Sequence, residues 1–305
     1  MESLTTPTSN GGSSIQLNSG YLMPLVGLGT YKLSGDQQLV DSAIYAALQC
    51  GYRLFDTAKL YSNERELGKA FEKFLPEFGL RREDIFICTK FWALTAESAS
   101  VEVPKLVEES LENLKTSYLD LVLIHYPKPG PPQAENNSDA EGNSASRREC
   151  WKALERIPKD KVRSIGVSNY EVRHLEEMGH YASIVPSVNQ VEFHPHFRRT
   201  DIRAYCDKQG VFFQSFASFG RQNSELLNDP AVVEIVAKHN TTPQNVLLSF
   251  ATSQGIGVVP KSTNPQRIRA NFDCFQLKLS VGDIQKLNSI SERGHYIRNT
   301  PWLVL

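Results

Sequence analysis

The sequence predicts an α/β protein folded as a (β/α)8 TIM barrel, and two observations predict it. Short apolar segments rich in β-branched and aromatic residues recur along the chain, and segments with the periodicity of amphipathic helices separate them. Eight strand candidates can be counted, and 305 residues are enough for a fold that takes roughly 250. A doubly wound parallel sheet is the alternative that the same pattern leaves open.

Several strand candidates are nearly continuously apolar, which indicates strands buried on both faces, as in a parallel sheet. In chain order the candidates span residues 25–31, 52–58, 84–90, 119–125, 162–169, 188–193, 211–217 and 255–261. The clearest helical segments between them have polar starts and apolar residues near i, i+3 and i+4. These segments are residues 36–51, 64–75, 100–115 and 229–240.

Ahead of the first strand, residues 14–26 place Asn-Ser-Gly between two apolar stretches, which predicts a β-hairpin. We expect this hairpin to cap the bottom of the barrel. Residues 1–14 are expected to form a flexible N-terminus, and residues 15–305 a single barrel domain.

Residues 127–149 are rich in Pro, Asn, Ser and Gly, and alanine is the only apolar residue type among them. This composition predicts a mobile loop. Because the segment follows the fourth strand, it would lie on the catalytic face. Both a lid over the site and a disordered insertion remain open.

Composition excludes some classes of partner. A formal net charge of −1 gives no general attraction for nucleic acid or anionic lipid, so a small molecule is the expected partner. The five cysteines are scattered and form no C-x-x-C pair, which is typical of a reduced, intracellular protein. No apolar segment reaches the roughly 18 residues that span a membrane, and the N-terminus has no signal-like apolar stretch. A cytoplasmic location without membrane contact is expected.

In a barrel the active site forms at the carboxyl ends of the strands, and polar residues lie there on three consecutive strands. Asp56 ends the second strand and Tyr61 follows in its loop, Lys90 ends the third strand, and His125 ends the fourth. Taken singly, these are a helix cap, a packing residue, a surface lysine and a core histidine. Together they place an acid, a phenol, an ammonium group and an imidazole on one rim.

The four groups can form a proton-donating unit. A phenol has a pKa near 10, so it donates a proton at neutral pH only if a cation and hydrogen bonds stabilise its anion. Lys90 can supply the cation, Asp56 can keep Lys90 charged and oriented, and a neutral His125 can donate a hydrogen bond to the proton-accepting oxygen.

With these residues in place, the sequence closely resembles the aldo-keto reductase family. Seven stretches carry the resemblance in family order and cover nearly the whole chain. They are GLGTY (27–31), LFDTAKLYSNE (54–64), ICTKFW (87–92), LVLIHYP (121–127), SIGVSNY (164–170), NQVEFHP (189–195) and VVPKSTNPQRIRANF (258–272).

The resemblance implies a barrel enzyme that reduces small aldehydes and ketones with NADPH, without a metal and usually as a monomer. It implies Tyr61 as the general acid, Lys90 and Asp56 as the residues that tune it, and His125 as the residue that orients the carbonyl. It also implies cofactor contacts from Gly29, Thr30, Asp56, Ser168, Asn169, Gln190, Phe216, Lys261, Ser262, Arg267 and Asn271.

Residue chemistry supports one part of this set as well. Lys261, Ser262 and Arg267 combine two cations and a hydroxyl, which suits a phosphate monoester. In the family this stretch binds the phosphate on the adenosine ribose, so the resemblance implies NADPH rather than NADH. Ala270 stands where the family usually has a glutamate, so one adenine contact is expected to be missing. Tyr31, Trp92, His125 and Tyr126 are expected to line an aromatic substrate pocket.

Two other readings remain. The family includes barrels that keep the fold for structural or sensing roles, so a non-catalytic NADPH-binding barrel is the main alternative. An unrelated isomerase that uses His125 and Lys90 would require the cofactor motifs to be accidental.

Overall fold

The computed structural model describes residues 5–7, 13–131, 137–297 and 300–305. Its strands are β1 (Thr5–Pro7), β2 (Ser13–Gln16), β3 (Leu22–Pro24), β4 (Gly27–Gly29), β5 (Leu54–Asp56), β6 (Phe86–Ala93), β7 (Leu119–Pro129), β8 (Val162–Ser168), β9 (Val188–Glu192), β10 (Phe212–Phe216) and β11 (Gly257–Val258). Its α-helices are α1 (Gln37–Cys50), α2 (Glu64–Glu77), α3 (Ala96–Asn113), α4 (Ala140–Glu155), α5 (Val172–Met178), α6 (Thr200–Gln209), α7 (Ser224–Leu227), α8 (Pro230–His239), α9 (Pro243–Thr252), α10 (Pro265–Phe272) and α11 (Val281–Asn288).

The strands β4 to β11 form one eight-stranded parallel sheet in chain order, with helices between consecutive strands. The first and last strands meet, because Gly29 N donates to Pro260 O (3.0 Å) and Val258 N donates to Leu25 O (2.7 Å). A Cβ atom on Gly29 would lie only 2.5 Å from Val259 O, so this closure requires a glycine. The predicted (β/α)8 barrel is confirmed.

The barrel has an inner and an outer core because strand side chains alternate between its two faces. In β7, Leu121 and Leu123 belong to the apolar cluster inside the barrel. Val122 and Ile124, between and after them, belong to the larger cluster between the strands and the helices. Inward-facing residues such as Leu121 and Leu123, spaced by two, form the inner series of a strand. A polar residue that continues the inner series at the carboxyl end of the strand therefore points into the barrel mouth.

The predicted hairpin is present as β2 and β3, which pair antiparallel from Ser14 opposite Pro24 to Gln16 opposite Leu22. Met23 and Leu17 of the hairpin are buried against the inner cluster of the barrel. Asn18 Nδ2 donates to Pro186 O (3.0 Å), which fixes the hairpin to the segment before β9. The hairpin thus closes the end of the barrel that lies opposite the carboxyl ends of the strands.

The prediction of a flexible segment over residues 1–14 is wrong in part. Strand β1 pairs antiparallel with β2, with Thr5 opposite Ile15 and Pro7 opposite Ser13. The reason is that the outer edge of the hairpin offers unpaired backbone groups to a further strand. Residues 1–4 and 8–12 lie outside the described residues.

The prediction of a mobile loop over residues 127–149 is wrong at both ends, since β7 continues to Pro129 and α4 begins at Ala140. Asp139 starts the helix by accepting a hydrogen bond from Gly142 N (3.0 Å). Residues 132–136, where a lid would have to lie, are outside the described residues.

The sequence did not reveal the first half of helix α4, because the residues buried there, Asn143, Ser146 and Arg147, are polar. Arg147 is 2% exposed, donates to Pro127 O (2.9 Å) and pairs with Glu177 (2.5 Å). A count of apolar residues does not detect such a face. Within the described ranges, no helix combines the length and apolarity that a membrane crossing requires.

Replacing Met23 by alanine should lower the free energy of unfolding by about 2–5 kcal/mol, because the substitution leaves a cavity between the hairpin and the bottom of the barrel. Urea unfolding followed by circular dichroism measures this loss. The matched control is Leu22→Ala, since Leu22 is adjacent in β3 but 55% exposed. Equal losses in the two variants would contradict the burial of Met23 as the origin of the effect.

Candidate active site

Three of the four predicted catalytic residues continue the inner series of their strands. Lys90 follows Phe86 and Cys88 at intervals of two, and His125 follows Leu121 and Leu123 in the same way. Asp56 likewise follows Leu54 in β5. The period of two therefore brings these side chains together in the mouth of the barrel.

Asp56 and Lys90 form a buried ion pair. Lys90 Nζ donates to Asp56 Oδ1 (2.6 Å) and to Thr57 O (2.9 Å), and Gln190 Nε2 donates to Asp56 Oδ2 (2.8 Å). Burial alone would lower the pKa of Lys90, but the charge and hydrogen bond of Asp56, together with Tyr61 and Cys88, outweigh burial and raise the pKa above the usual range. Lys90 is therefore a charged ammonium group at neutral pH.

Tyr61 lies beside this cation, with Lys90 Nζ 5.2 Å from the centroid of its ring. Burial raises the pKa of Tyr61 to about 12, although the charge of Lys90 opposes the rise. The phenol is therefore protonated at neutral pH and able to donate. The stabilising effect of Lys90 becomes important when a phenolate forms, because the phenolate is the charged state that burial disfavours.

His125 faces Tyr61 across the mouth, with 5.9 Å between the ring centroids. Its imidazole stacks on Trp92 at 4.6 Å with an interplanar angle of 14°. Burial, reinforced by the positive charge of Lys90, lowers the pKa of His125 well below its usual range. The site therefore holds a neutral imidazole that can donate one hydrogen bond.

The predicted pocket residues differ in how far they are exposed. Tyr31 packs against Tyr61 with ring centroids 5.2 Å apart and is 39% exposed, so Tyr31 and Trp92 form part of the open rim. Tyr126 is fully buried, and its ring lies edge-on to that of Trp92, with 6.2 Å between the ring centroids. Tyr126 follows His125 by one residue and so falls on the opposite face of β7. Its place in the pocket stays a prediction.

The predicted nicotinamide contacts lie on the same rim, at the ends of β8, β9 and β10. Ser168 Oγ donates to Gln190 O (2.8 Å), and Asn169 Nδ2 donates to His125 O (2.9 Å). Through Gln190, which also bonds Asp56, this group is joined directly to the ion pair. Phe216 ends β10 on this rim and is half-buried.

The predicted phosphate-binding residues lie where the last strand meets the first. Lys261 forms an isolated parallel β-bridge with Gly29, and Ser262 follows Lys261 in the chain. Arg267 lies in the first turn of α10. Burial lowers the pKa of Lys261, and the nearby charges of Lys32 and Arg267 lower it further. Three cations that repel one another in this way are suited to a dianionic phosphate.

Lys32 is a member of this cluster that the sequence did not predict, although it follows the GLGTY stretch directly. Among the described residues no carboxylate pairs with Lys32, Lys261 or Arg267. Of the other predicted contacts, Asn271 is buried in α10, and Thr30 donates its hydroxyl to Asp56 O (3.0 Å). Gly29 has a structural role in barrel closure as well as its predicted cofactor contact.

The described part of the chain contains no group of three His, Cys, Asp or Glu side chains that could hold a metal ion. The mouth groups a protonated phenol, a cation beside it and a neutral imidazole opposite, a set of groups that can support acid–base chemistry. The adjoining cation cluster fits a phosphorylated cofactor.

Comparisons with known proteins agree with this geometry. The model of the Aldo/keto reductase family matches residues 25–292. The chain is 37% identical to aldose reductase B of Dictyostelium discoideum over 280 residues, which cover 88% of this chain and 89% of that protein. It is 35% identical to glyoxal reductase of Bacillus subtilis, with 91% and 92% covered.

A solved structure with the same fold is an aldo-keto reductase of Bombyx mori in complex with NADP. It superposes with a TM-score of 0.83 at 28% identity and covers 95% of this chain and 96% of that one. The family match, the similar sequences and the shared fold lead to one conclusion: the chain belongs to the aldo/keto reductase family.

Proposed function

We propose that the protein is an NADPH-dependent carbonyl reductase that converts small aldehydes and ketones to alcohols, with Tyr61 as the general acid. The observation that carries the proposal is the protonated phenol of Tyr61 beside the charged Lys90, which Asp56 holds in place. A cation next to a phenol lowers the free energy of the phenolate that remains after proton transfer.

In the proposed mechanism a carbonyl oxygen lies between Tyr61 and His125. The neutral imidazole of His125 donates a hydrogen bond and orients the oxygen. NADPH, when held by these residues, would supply the hydride for the carbonyl carbon. As negative charge develops on the oxygen, Tyr61 transfers its proton there and Lys90 stabilises the resulting phenolate. Water can then return a proton to Tyr61.

The proposed cofactor contacts fall into two groups. Ser168, Asn169 and Gln190 offer amide and hydroxyl groups near Asp56 and would hold the nicotinamide end, with Phe216 beside its ring. The cations Lys261 and Arg267, with Ser262 between them in sequence, would bind the phosphate on the adenosine ribose. The repulsion among these cations supports NADPH over NADH as the partner.

The proposed substrates are small carbonyl compounds with an apolar or flat body. The rim presents the aromatic surfaces of Tyr31 and Trp92 on either side of the polar groups. The relatives described above are named for the reduction of aldoses and glyoxal, which are small carbonyl compounds.

The substitution Tyr61→Phe should lower kcat by about 10²–10⁴-fold, because it removes only the acidic hydroxyl. NADPH oxidation at 340 nm, with small aldehydes, α-dicarbonyls and ketones as substrates, measures the loss. NADPH affinity, followed by quenching of protein fluorescence, should stay nearly unchanged. The matched control is Tyr45→Phe, since Tyr45 lies on α1 and is 36% exposed.

Two outcomes would contradict this proposal. Undiminished turnover by Tyr61→Phe would refute the assigned acid. A wild-type protein that binds NADPH tightly but turns over no carbonyl compound would favour the non-catalytic NADPH-binding barrel.

The substitution Arg267→Ala should raise the Kd for NADPH by about 10- to 100-fold, which corresponds to the loss of one charge-assisted hydrogen bond. The Kd for NADH, which lacks the ribose phosphate, should hardly change. The control Arg269→Ala removes an exposed arginine from the same helix. An equal effect of Arg267→Ala on both cofactors would place the arginine elsewhere than at the phosphate.

A further inference from the structure

The turn that carries Tyr61 has little backbone support of its own. It is a single 3-10 turn, Lys59–Tyr61, in which Tyr61 N donates to Ala58 O (2.9 Å) and Ser62 N donates to Lys59 O (3.2 Å). Ser62 then adopts the left-handed conformation, with φ 51°. Short 3-10 turns have poor hydrogen-bond geometry, so side chains must fix the position of this one.

Asn63 is the first such side chain. It is fully buried, its Oδ1 accepts from Thr57 Oγ1 (2.6 Å), and its Nδ2 donates to Thr30 O (2.9 Å). The side chain thus ties the end of the Tyr61 turn to the carboxyl ends of β4 and β5. Asparagine before a helix normally caps it, but Asn63 makes no side-chain capping bond to α2.

The contacts of Asn63 lead directly to the ion pair. Thr57, which donates to Asn63, offers its own carbonyl oxygen to Lys90 Nζ (2.9 Å). One residue therefore positions Lys90 through its backbone and the Tyr61 turn through its hydroxyl. The distance between the phenol and the ammonium group depends on this connection.

Glu64 supports the turn from the other side of the sheet. Its Oε1 accepts from Thr89 Oγ1 (2.6 Å) and Ser110 Oγ (2.8 Å), and its Oε2 pairs with Lys59 Nζ (3.3 Å). Lys59 is the first residue of the turn, and Thr89 precedes Lys90 in β6. An acidic residue in the first turn of a helix commonly lies at the surface, where it interacts favourably with the helix dipole. Glu64 is in the first turn of α2, but it is only 4% exposed.

We propose that Asn63 and Glu64 are positioning residues that hold Tyr61 in register with Lys90. This role rests on the proposed function of Tyr61 as the general acid. Neither residue touches the reacting atoms. Asn63 fixes the C-terminal end of the turn and Glu64 fixes its start, so the phenol can reach the carbonyl oxygen only in one narrow range of positions.

The substitution Asn63→Asp tests the proposal with little change in volume. It keeps the acceptor for Thr57, but it removes the donor to Thr30 O and sets a carboxylate against that oxygen. We expect kcat to fall by about 10- to 100-fold, as for displacement of a catalytic group by about 1 Å. KM and the Kd for NADPH should remain within about twofold of the wild-type values, because Asn63 does not touch the reacting atoms. A tenfold change in Kd would correspond to about 1.4 kcal/mol.

A kinetic isotope effect separates positioning from general damage. With NADPH deuterated at C4 of the nicotinamide, the isotope effect on kcat should increase in Asn63→Asp, because a misplaced acid makes the chemical step slower and more rate-limiting. Destabilisation alone would lower the amount of active protein without changing the isotope effect.

The chain offers a control with the same pair of contacts in Asn18, which is exposed at the opposite end of the barrel. Its Oδ1 accepts from Ser187 Oγ (2.7 Å) and its Nδ2 donates to Pro186 O (3.0 Å), the same pair of contacts that Asn63 makes. Asn18→Asp should therefore keep the acceptor for Ser187 and lose the donor to Pro186 O, while keeping kcat and the isotope effect of the wild type.

Thr57→Val removes the hydroxyl donor to Asn63 without adding charge. If Asn63→Asp does not fold, Thr57→Val tests the positioning role in its place. We expect kcat to fall and the isotope effect to rise in this variant too. Glu64→Gln, which weakens the pairing with Lys59, should act in the same direction.

The outcomes distinguish this inference from the proposed function. If the wild type reduces carbonyls and Asn63→Asp or Thr57→Val retains its kcat and isotope effect, the positioning role is overturned and the proposed function stands. If the wild type itself has no turnover, the proposed function fails and the positioning role fails with it.

Discussion

The buried ion pair between Asp56 and Lys90 is the interaction on which the rest of the site depends. Burying two charges costs several kcal/mol per ion unless hydrogen bonds satisfy them, as the bonds from Gln190 to Asp56 and from Lys90 to Thr57 O do here. The pair joins β5, β6 and β9 at the barrel mouth. Its cation lowers the pKa of His125 and opposes the rise in the pKa of Tyr61, so one contact influences both groups that would face a substrate.

Much of this arrangement could be predicted because it follows from periodicity. The order of strands and helices was visible in the apolar pattern, and Asp56, Lys90 and His125 were recognisable as polar residues after buried apolar runs. Strands β6 and β7 continue beyond Lys90 and His125, to Ala93 and Pro129. The same period of two places Tyr126 on the opposite face of β7 from His125. The first half of helix α4 could not be predicted from apolar spacing, because its buried Arg147 is satisfied by Glu177, a partner distant in sequence.

Other features required the tertiary structure. The sequence suggested that Lys90 would help Tyr61 to ionise, but burial outweighs that effect and keeps the phenol protonated in the resting site. The extent of burial depends on neighbours such as Tyr31, which comes from another strand. Lys32 adjoins a recognised stretch and Asn63 lies within one, yet only their contacts indicate what they do: Lys32 joins a cation cluster, and Asn63 fixes a turn.

The central claim is that the charge of Lys90 drives proton donation by Tyr61, and the most direct test is the turnover of Lys90→Met with NADPH and a small aldehyde. The account predicts a fall in kcat of about 10²–10⁴-fold with NADPH still bound. The double variant Asp56→Asn/Lys90→Met, which leaves no unpaired buried charge, shows whether the loss is one of chemistry or of folding. Turnover close to that of the wild type in either variant would contradict the account.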